Sequence, residues 1–126
     1  MNTAIKPSLL LIEKDEGLRQ LLALLLHEEH NLIARSSSLA GLQYLYEGQL
    51  PQLMIVDLNV EDIPALELIQ QINSNGLLRD IPMIVLGKPN HKYLENKLPK
   101  QVSDFIIKPF DPDKLKQKIK QQLAIL

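Results

Sequence analysis

Cysteine and tryptophan are absent from this sequence of 126 residues, and aromatic residues make up only 4% of it. The lack of cysteine excludes thiol catalysis, a cysteine-ligated zinc site and an iron–sulfur cluster, and it fits a reducing compartment. No apolar run is long enough to span a membrane, because the longest, Leu21 to Leu26, stops at His27. Residues 1–7 do not resemble a signal peptide. We therefore expect a cytoplasmic protein with no membrane contact.

Glycine is also scarce, with five residues, and no phosphate loop of the G-x-G-x-x-G or Walker type occurs. A phosphate cradle needs glycines and free backbone N–H groups. The first polar stretch, Glu13 to Glu16, instead contains three acids and would repel an anion. A nucleotide- or flavin-binding enzyme is therefore disfavoured, and we expect no organic cofactor.

The net charge of −1 argues against a nucleic-acid binder, but the charges are unevenly divided along the chain. Residues 1–87 contain five basic and eleven acidic residues, whereas residues 88–126 contain nine basic and four acidic residues. Four lysines spread over one side of a predicted last helix: Lys114, Lys116, Lys118 and Lys120. We interpret this side as a solvated face, with an acidic partner as the functional alternative.

Short apolar runs alternate five times with longer segments of helical periodicity, and this order predicts a parallel sheet in an α/β domain. Strands that are apolar along their whole length are typical of a doubly wound fold, in which helices cover both faces of the sheet. The chain has the length of one compact domain, so we expect residues 1–126 to form a single domain. The predicted strands are residues 8–12, 32–34, 53–56, 81–86 and 105–107. The first three predicted helices are a leucine-rich one over 18–26, one capped by the serines at 36–38, and one that begins near Pro64 and stops before Asn75 and Gly76. A short polar helix after Pro89 and a last helix capped by Asp111 follow.

Charged residues follow three of the predicted strands, at the sheet edge where ligands bind in doubly wound folds. Glu13 follows the first strand, Asp57 follows the third and Lys108 follows the fifth. Two carboxylates with a lysine opposite suit a hard divalent cation such as Mg²⁺ together with a phosphoryl group. An aspartate in this setting can act as a nucleophile and become an aspartyl phosphate.

With these residues in place, the sequence resembles the receiver domain of two-component response regulators, of the chemotaxis-regulator type, over nearly its whole length. Five segments in the family's order carry the resemblance: Leu-Leu-Leu-Ile-Glu at 9–13, Leu-Arg at 18–19, Ile-Val-Asp-Leu at 55–58, Leu-Arg-Asp-Ile-Pro at 78–82 and Lys-Pro-Phe at 108–110. The resemblance implies a flavodoxin-like fold with five parallel strands in the order 2-1-3-4-5 and five helices. It also implies a signalling module in a phosphorelay, not an enzyme, with a histidine kinase or phosphotransfer protein as its partner.

The same resemblance implies roles for individual residues. Asp57 stands at the position of the phosphoacceptor, and Lys108 at that of the lysine that binds the phosphoryl group. Glu13 and Asp57 stand at metal-site positions, and Asn59 is the residue whose backbone carbonyl reaches the metal. In this family the surface of the fourth helix, fifth strand and fifth helix is where an effector or a second copy docks, so we expect partners on that face.

The sequence departs from the family pattern at residues close to the predicted chemistry. Lys14 stands where a second acid is usual, which removes two units of negative charge from the metal site. We therefore expect Mg²⁺ to bind weakly or not at all. Gly87 occupies the switch position of a serine or threonine whose hydroxyl grips the phosphoryl group. The usual coupling from that hydroxyl to the switch aromatic, here Phe105, therefore lacks its first member.

These departures support an alternative function, a pseudo-receiver that serves as a protein-interaction module without phosphorylation. In that hypothesis the ammonium groups of the rim neutralise its acids without a metal, in a closed ion-pair network. The groups of this predicted network are Glu13, Asp15, Asp57, Lys14, Lys88 and Lys108. Lys14 and Gly87 favour the alternative, whereas Asp57, Glu13 and Lys108 favour phosphorylation.

Simpler structural interpretations exist for several of these residues. Asp57 could be a strand-end carboxylate that is bound by loop amides, and Glu13 and Asp15 could be solvated loop acids. The dipeptide of Lys108 and Pro109 could be only a strand end and a turn. The three histidines have no metal-ligand spacing, so we predict surface positions for His27, His30 and His91.

Overall fold

Every predicted strand and helix is present in the computed structural model, which describes residues 5–125. The ends of the expected single domain, residues 1–4 and 126, lie outside the described residues. The strands are β1 (Ser8–Ile12), β2 (Asn31–Arg35), β3 (Leu53–Asp57), β4 (Met83–Gly87) and β5 (Val102–Ile107). The α-helices are α1 (Glu16–Leu26), α2 (Ser38–Tyr46), α3 (Ala65–Asn73) and α4 (Pro112–Ile125), and a 3-10 helix spans Pro89–Lys97. Within residues 5–125 no helix is long and apolar enough to cross a membrane.

The five strands are parallel and follow the order β2-β1-β3-β4-β5, which confirms the predicted flavodoxin-like sheet. In the middle of β1, Leu10 lies opposite Ile33 of β2 on one side and Met54 of β3 on the other. The strand order therefore changes direction at β1, with β2 on one side of it and β3, β4 and β5 on the other. Since all strands run in the same direction, the residues that follow β1, β3 and β5 share one edge of the sheet.

Side chains of β1 alternate between two buried clusters, one on each face of the sheet. Leu10 and Ile12 belong to a cluster that includes residues of α2 and α3. Leu9 and Leu11 belong to a second cluster that includes residues of α1 and α4. None of these four side chains is exposed, and full burial of a leucine or isoleucine contributes about 1.5–3 kcal/mol. The central strands are apolar throughout because both of their faces are covered.

The helix ends follow local side-chain chemistry. Asp15 caps α1 by accepting a hydrogen bond from the backbone N–H of Leu18 at 2.7 Å. Ser37, one of the predicted caps, accepts from the N–H of Ala40 at 3.1 Å at the start of α2. After α2, Gly48 adopts a φ of 87°, a left-handed conformation that residues with a side chain rarely take.

A carboxylate from the loop after β3 also holds the start of α2. The two oxygens of Asp62 accept hydrogen bonds from the backbone N–H groups of Ser38 (3.1 Å) and Leu39 (2.9 Å). Burial acts to raise the pKa of Asp62, but the backbone donors of these residues and of Ile63 outweigh it and lower the pKa below 3.8. Asp62 thus ties the loop beside the predicted site to a helix that begins 24 positions earlier.

We expect Asp62→Ala to lower the free energy of unfolding by about 1 kcal/mol at neutral pH, because two helix N–H groups lose their acceptor. The lowered pKa of Asp62 means that its contribution is full above pH 3.8 and is lost as pH falls through the folded-state value. Urea unfolding at neutral and acidic pH measures both effects. The matched control is Asp80→Ala at an exposed carboxylate, and an equal loss in both variants would contradict the role of Asp62.

One surface prediction is wrong. His30 is only 4% exposed, and its Nδ1 lies 3.2 Å from the backbone carbonyl oxygen of Leu26. The connection from α1 to β2 consists of only residues 27–30, and its last residue, His30, is buried against the end of α1. His27 is exposed and His91 is half-buried.

Candidate functional site

The structure brings Glu13, Asp57 and Lys108 together at the carboxyl edge of the sheet. The ammonium group of Lys108 donates to Oε1 of Glu13 at 2.6 Å and lies 3.2 Å from Oδ2 of Asp57. Glu13 is fully buried and Asp57 is 1% exposed, whereas the Lys108 side chain is 21% exposed. Glu13 is therefore not the solvated loop acid of the simpler interpretation. The peptide bond between Lys108 and Pro109 is cis.

Two buried carboxylates share one ammonium group in this arrangement. Burial raises the pKa of Glu13 above 4.5, and the adjacent Asp57 carboxyl group raises it further. Lys108 and the backbone N–H of Asp15 lower this pKa but do not offset the increase. One ammonium group therefore only partly balances the two carboxylates.

Asp57 keeps both of its carboxylate oxygens free of hydrogen bonds within the described part of the chain. Its Oδ2 lies 3.2 Å from the ammonium group of Lys108, and its carboxyl group lies next to that of Glu13. Loop amides do not bind it there, so the simpler interpretation of Asp57 is wrong. A buried carboxylate with unpartnered oxygens is costly to the fold, and it leaves lone pairs available to an incoming electrophile or cation.

The loop between β1 and α1 is fixed by Arg19, whose Nη1 donates to the backbone oxygens of Glu13 and Lys14, both at 2.8 Å. The backbone N–H of Asp15 also donates to Oε2 of Glu13 at 3.2 Å. Arg19 belongs to one of the five segments that resemble the receiver family, but those segments do not predict its contact with the loop carbonyls. The side chain of Asp15 is engaged as the cap of α1.

Lys14 turns to Glu61, in the loop after β3, with 2.6 Å between Nζ and Oε1. The Lys14 side chain is 39% exposed and that of Glu61 is 79% exposed. The hydrogen bond to Glu61 raises the pKa of Lys14, and the charges of Asp57 and Glu13 add to this effect. The ammonium group thus lies at the rim, within the electrostatic field of the buried carboxylates.

The predicted closed network of six charged groups is therefore wrong in most of its pairs. Of its three lysines, Lys108 makes ion pairs with Glu13 and Asp57, and Lys14 pairs with Glu61 instead. Lys88 makes no ion pair with any residue between 5 and 125. Loop side chains choose partners by local geometry, and a sequence spacing does not fix that geometry.

Gly87, at the end of β4, lies against the ring of Phe105 on β5. A Cβ atom at Gly87 would come within 2.8 Å of Cζ of Phe105, 3.2 Å of Cδ1 of Leu58 and 3.3 Å of Cβ of His91. The ring therefore fills the space that a serine or threonine side chain would take. A side chain at residue 87 therefore requires the ring of Phe105 to move.

The residues present fit a divalent cation poorly. Glu13 and Asp57 offer carboxylate oxygens, but Lys108 already lies against both of them. The described residues contain no group of three or more acids, histidines or cysteines that could hold a metal. Asn59 is half-buried in the turn two residues after Asp57. The ammonium group of Lys108 against these carboxylates and that of Lys14 at the rim thus disfavour a divalent cation.

A mostly apolar groove of about 520 Å³ opens beside the site, between α1 and the segment that follows β5. Leu18 and Leu21 line one side, and Pro109 and Phe110 line the other. Leu21 is one of the large apolar side chains that remain exposed. A protein that reaches Asp57 from this side would meet an apolar surface first.

The lysines of α4 are largely paired within the chain. Lys116 and Lys120 lie 3.4 and 3.5 Å from Glu29 in the connection between α1 and β2, and Lys118 lies 3.4 Å from Asp104 of β5. The positive charge that the sequence places on this helix is therefore partly neutralised by acids of the same chain. Exposed pairs of this kind contribute little to stability.

Comparison with known proteins gives the family. Residues 9–120 match the model of the response regulator receiver domain. A 74-residue segment is 29% identical to the chemotaxis protein CheY1 of Helicobacter pylori, and it covers 58% of this chain and 60% of that protein. The segment thus spans less than two thirds of that curated relative.

Solved structures show the same fold at low identity. A sensor protein of Polaromonas sp. JS666 is 24% identical with a TM-score of 0.85, and the match covers 95% of this chain and 98% of that one. A response regulator of Thermotoga maritima, solved in complex with Mg²⁺-BeF, is 22% identical with a TM-score of 0.79 and coverages of 94% and 99%. A sensor histidine kinase receiver domain of Pseudomonas aeruginosa, with a magnesium ion coordinated in its active site cleft, is 15% identical with a TM-score of 0.81 and coverages of 95% and 99%. The chain therefore belongs to the response regulator receiver domain family, the phosphorelay signalling modules of two-component systems.

Proposed function

We propose that this receiver domain accepts a phosphoryl group on Asp57 from a histidine kinase or phosphotransfer protein. The observation that supports this proposal is the buried Asp57 carboxylate, which has no hydrogen-bond partner among the described residues and lies 3.2 Å from the ammonium of Lys108. A nucleophile needs a free lone pair, and Asp57 has it. The groove lined by Leu18, Leu21 and Phe110 lies next to the site and is our proposed approach for the donor protein.

In the proposed transfer, an oxygen of Asp57 forms a bond to phosphorus as the bond from phosphorus to the donor imidazole nitrogen breaks. The departing imidazole takes a proton from solvent. Lys108 holds a phosphoryl oxygen and stabilises the charge that develops in the transition state. The buried carboxylate of Glu13 keeps the ammonium of Lys108 at this position through the 2.6 Å hydrogen bond.

We also propose that Mg²⁺ binds here weakly or not at all. When bound in a receiver site, the ion supplies positive charge beside the phosphoryl group. In this chain Glu13 and Asp57 already face Lys108, and Lys14 adds a second ammonium group at the rim. For any weak binding of Mg²⁺, we propose the backbone carbonyl of Asn59 as the third contact beside Glu13 and Asp57.

Gly87 and Phe105 are our proposed switch positions. The ring of Phe105 packs against Gly87, in space that the usual hydroxyl residue would occupy. Phosphorylation should therefore change the position of Phe105 less than in relatives with serine or threonine. We place effector binding or self-association on the face of the 3-10 helix, β5 and α4.

The test is to incubate the protein with phosphoramidate, a small phosphodonor, and to measure the intact mass. We expect the parent to gain one phosphoryl group and the Asp57→Asn variant to gain none. Equal masses before and after incubation in both proteins would contradict phosphorylation. Such a result would favour the alternative, an interaction module that works without phosphate.

A further inference from the structure

Lys14 follows the buried Glu13 in the chain, and its ammonium group pairs with Glu61 at the rim of the site. Its ion pair with Glu61 joins two loops at the rim, and both side chains are partly exposed. Exposed pairs of this kind are weak, and the four-carbon stem of lysine lets the charge move to a stronger partner. The main chain of Lys14 stays in place because Arg19 holds its carbonyl oxygen.

A phosphoryl group would give Lys14 such a partner. Glu13, Asp57 and Lys108 together carry one net negative charge when all three are ionised. A phosphoryl donor adds about two further negative charges at neutral pH. One ammonium group cannot balance this total, and Lys14, the residue after Glu13, carries a second one at the rim, where it pairs with Glu61.

We propose that Lys14 takes the place of a divalent cation in this site, so that Asp57 accepts a phosphoryl group without a metal. The inference rests on the proposed function of Asp57. As the phosphoryl group arrives, Lys14 leaves Glu61 and donates to a phosphoryl oxygen, while Lys108 holds another. Glu61 is the resting partner that keeps the ammonium group at the rim between transfers.

The first experiment compares phosphorylation by phosphoramidate in EDTA and in Mg²⁺, with intact mass as the readout. The parent should react at rates that differ by less than about twofold between the two conditions, since its own lysines supply the charge. Lys14→Met should slow the reaction about tenfold in EDTA, whereas Lys92→Met, at an exposed lysine of the 3-10 helix, should not change it. Glu61→Gln should leave the rate unchanged or raise it, because the resting partner is removed.

The second experiment needs no phosphorylation. Mg²⁺ is titrated into the parent and into Lys14→Asp, and the backbone amide resonances of Asp57 and Gly87 are followed by NMR. The parent should show no saturable shift, and Lys14→Asp should show one, because the substitution restores an acid and removes a positive charge. Saturable binding of similar strength in both proteins would overturn the role of Lys14.

The two ideas fail in different ways. A parent that reacts only with Mg²⁺ keeps the function of Asp57 and overturns the role of Lys14. A parent that reacts under neither condition overturns the proposed function, and the Mg²⁺ titration still decides whether Lys14 excludes a divalent cation.

Discussion

Replacing Lys108 by methionine should lower the free energy of unfolding by about 3 kcal/mol at neutral pH. The substitution leaves the carboxylates of Glu13 and Asp57 buried side by side without their shared ammonium group. The value lies at the lower end for a broken buried ion pair, because the Lys108 side chain is 21% exposed and water can enter. Phosphorylation of Asp57 should also fall sharply, since the group that stabilises the transferred phosphoryl is gone.

The loss should depend on pH in a defined direction. Burial raises the pKa of Glu13 above its ordinary value of 4.5 in the folded state. The folded state therefore binds this proton more tightly than the unfolded state does, and ionisation of Glu13 as pH rises lowers the free energy of unfolding. Without Lys108, which lowers this pKa, the difference grows. The variant should therefore be least stable relative to the parent at neutral pH and should approach it as pH falls. Urea unfolding across this range provides the measurement.

Two further variants test the explanation for Lys108. Lys88→Met makes the same chemical change at an exposed lysine of the same rim, and it should cost less than about 0.5 kcal/mol. Lys108→Met leaves two buried carboxylate charges without a partner. The double variant Asp57→Asn and Lys108→Met removes one of these two charges and should regain much of the lost stability. If the double variant is no more stable than Lys108→Met, charge burial is not the cause.

Gly87→Ala should displace the ring of Phe105 and lower the free energy of unfolding by about 1–3 kcal/mol. The added Cβ would meet the ring tip at 2.8 Å and has Leu58 and His91 on its other sides. The ring of Phe105 makes the shortest of these contacts, and its end can move without shifting the backbone. NMR resonances of the Phe105 ring report the displacement, and urea unfolding reports the cost.

Gly76→Ala is the matched control, because, its two chain neighbours aside, no atom of residues 5–125 lies within 4 Å of a Cβ at that position. It should change stability by less than about 0.5 kcal/mol. Shortening the ring in the double variant Gly87→Ala and Phe105→Leu should recover part of the loss. Unmoved Phe105 resonances in Gly87→Ala would show that the close approach does not restrict residue 87.

The strands were predictable where burial on both faces leaves a continuous apolar run, as in β1 and β3. β5 was predicted only from 105, yet it begins at Val102, since Ser103 and Asp104 interrupt the apolar pattern. An edge strand tolerates such polar residues because pairing with β4 fixes it. β4 begins at Met83, two residues later than predicted, because Pro82 lacks the N–H that the sheet requires.

The proximity of Glu13, Asp57 and Lys108 was predictable because parallel strands place their carboxyl ends at one edge. The pairing of Lys14 with Glu61 was not, since 47 positions separate them and both side chains extend from loops. The capping role of Asp15 has a sequence signal, an aspartate directly before a leucine-periodic helix, although the same residue also fits a charge at the rim of the site. Long-range topology was thus easier to infer than the choice of side-chain partners.

Arg19 has a consequence for any measurement of binding at this edge. Its guanidinium already anchors the two carbonyls of the first loop, so a ligand meets a preorganised surface and need not order the main chain. Differences in affinity among charge variants should then reflect electrostatics directly, with little contribution from loop folding. We expect calorimetry to show a small heat-capacity change on ligand binding, because the loop does not fold when the ligand binds.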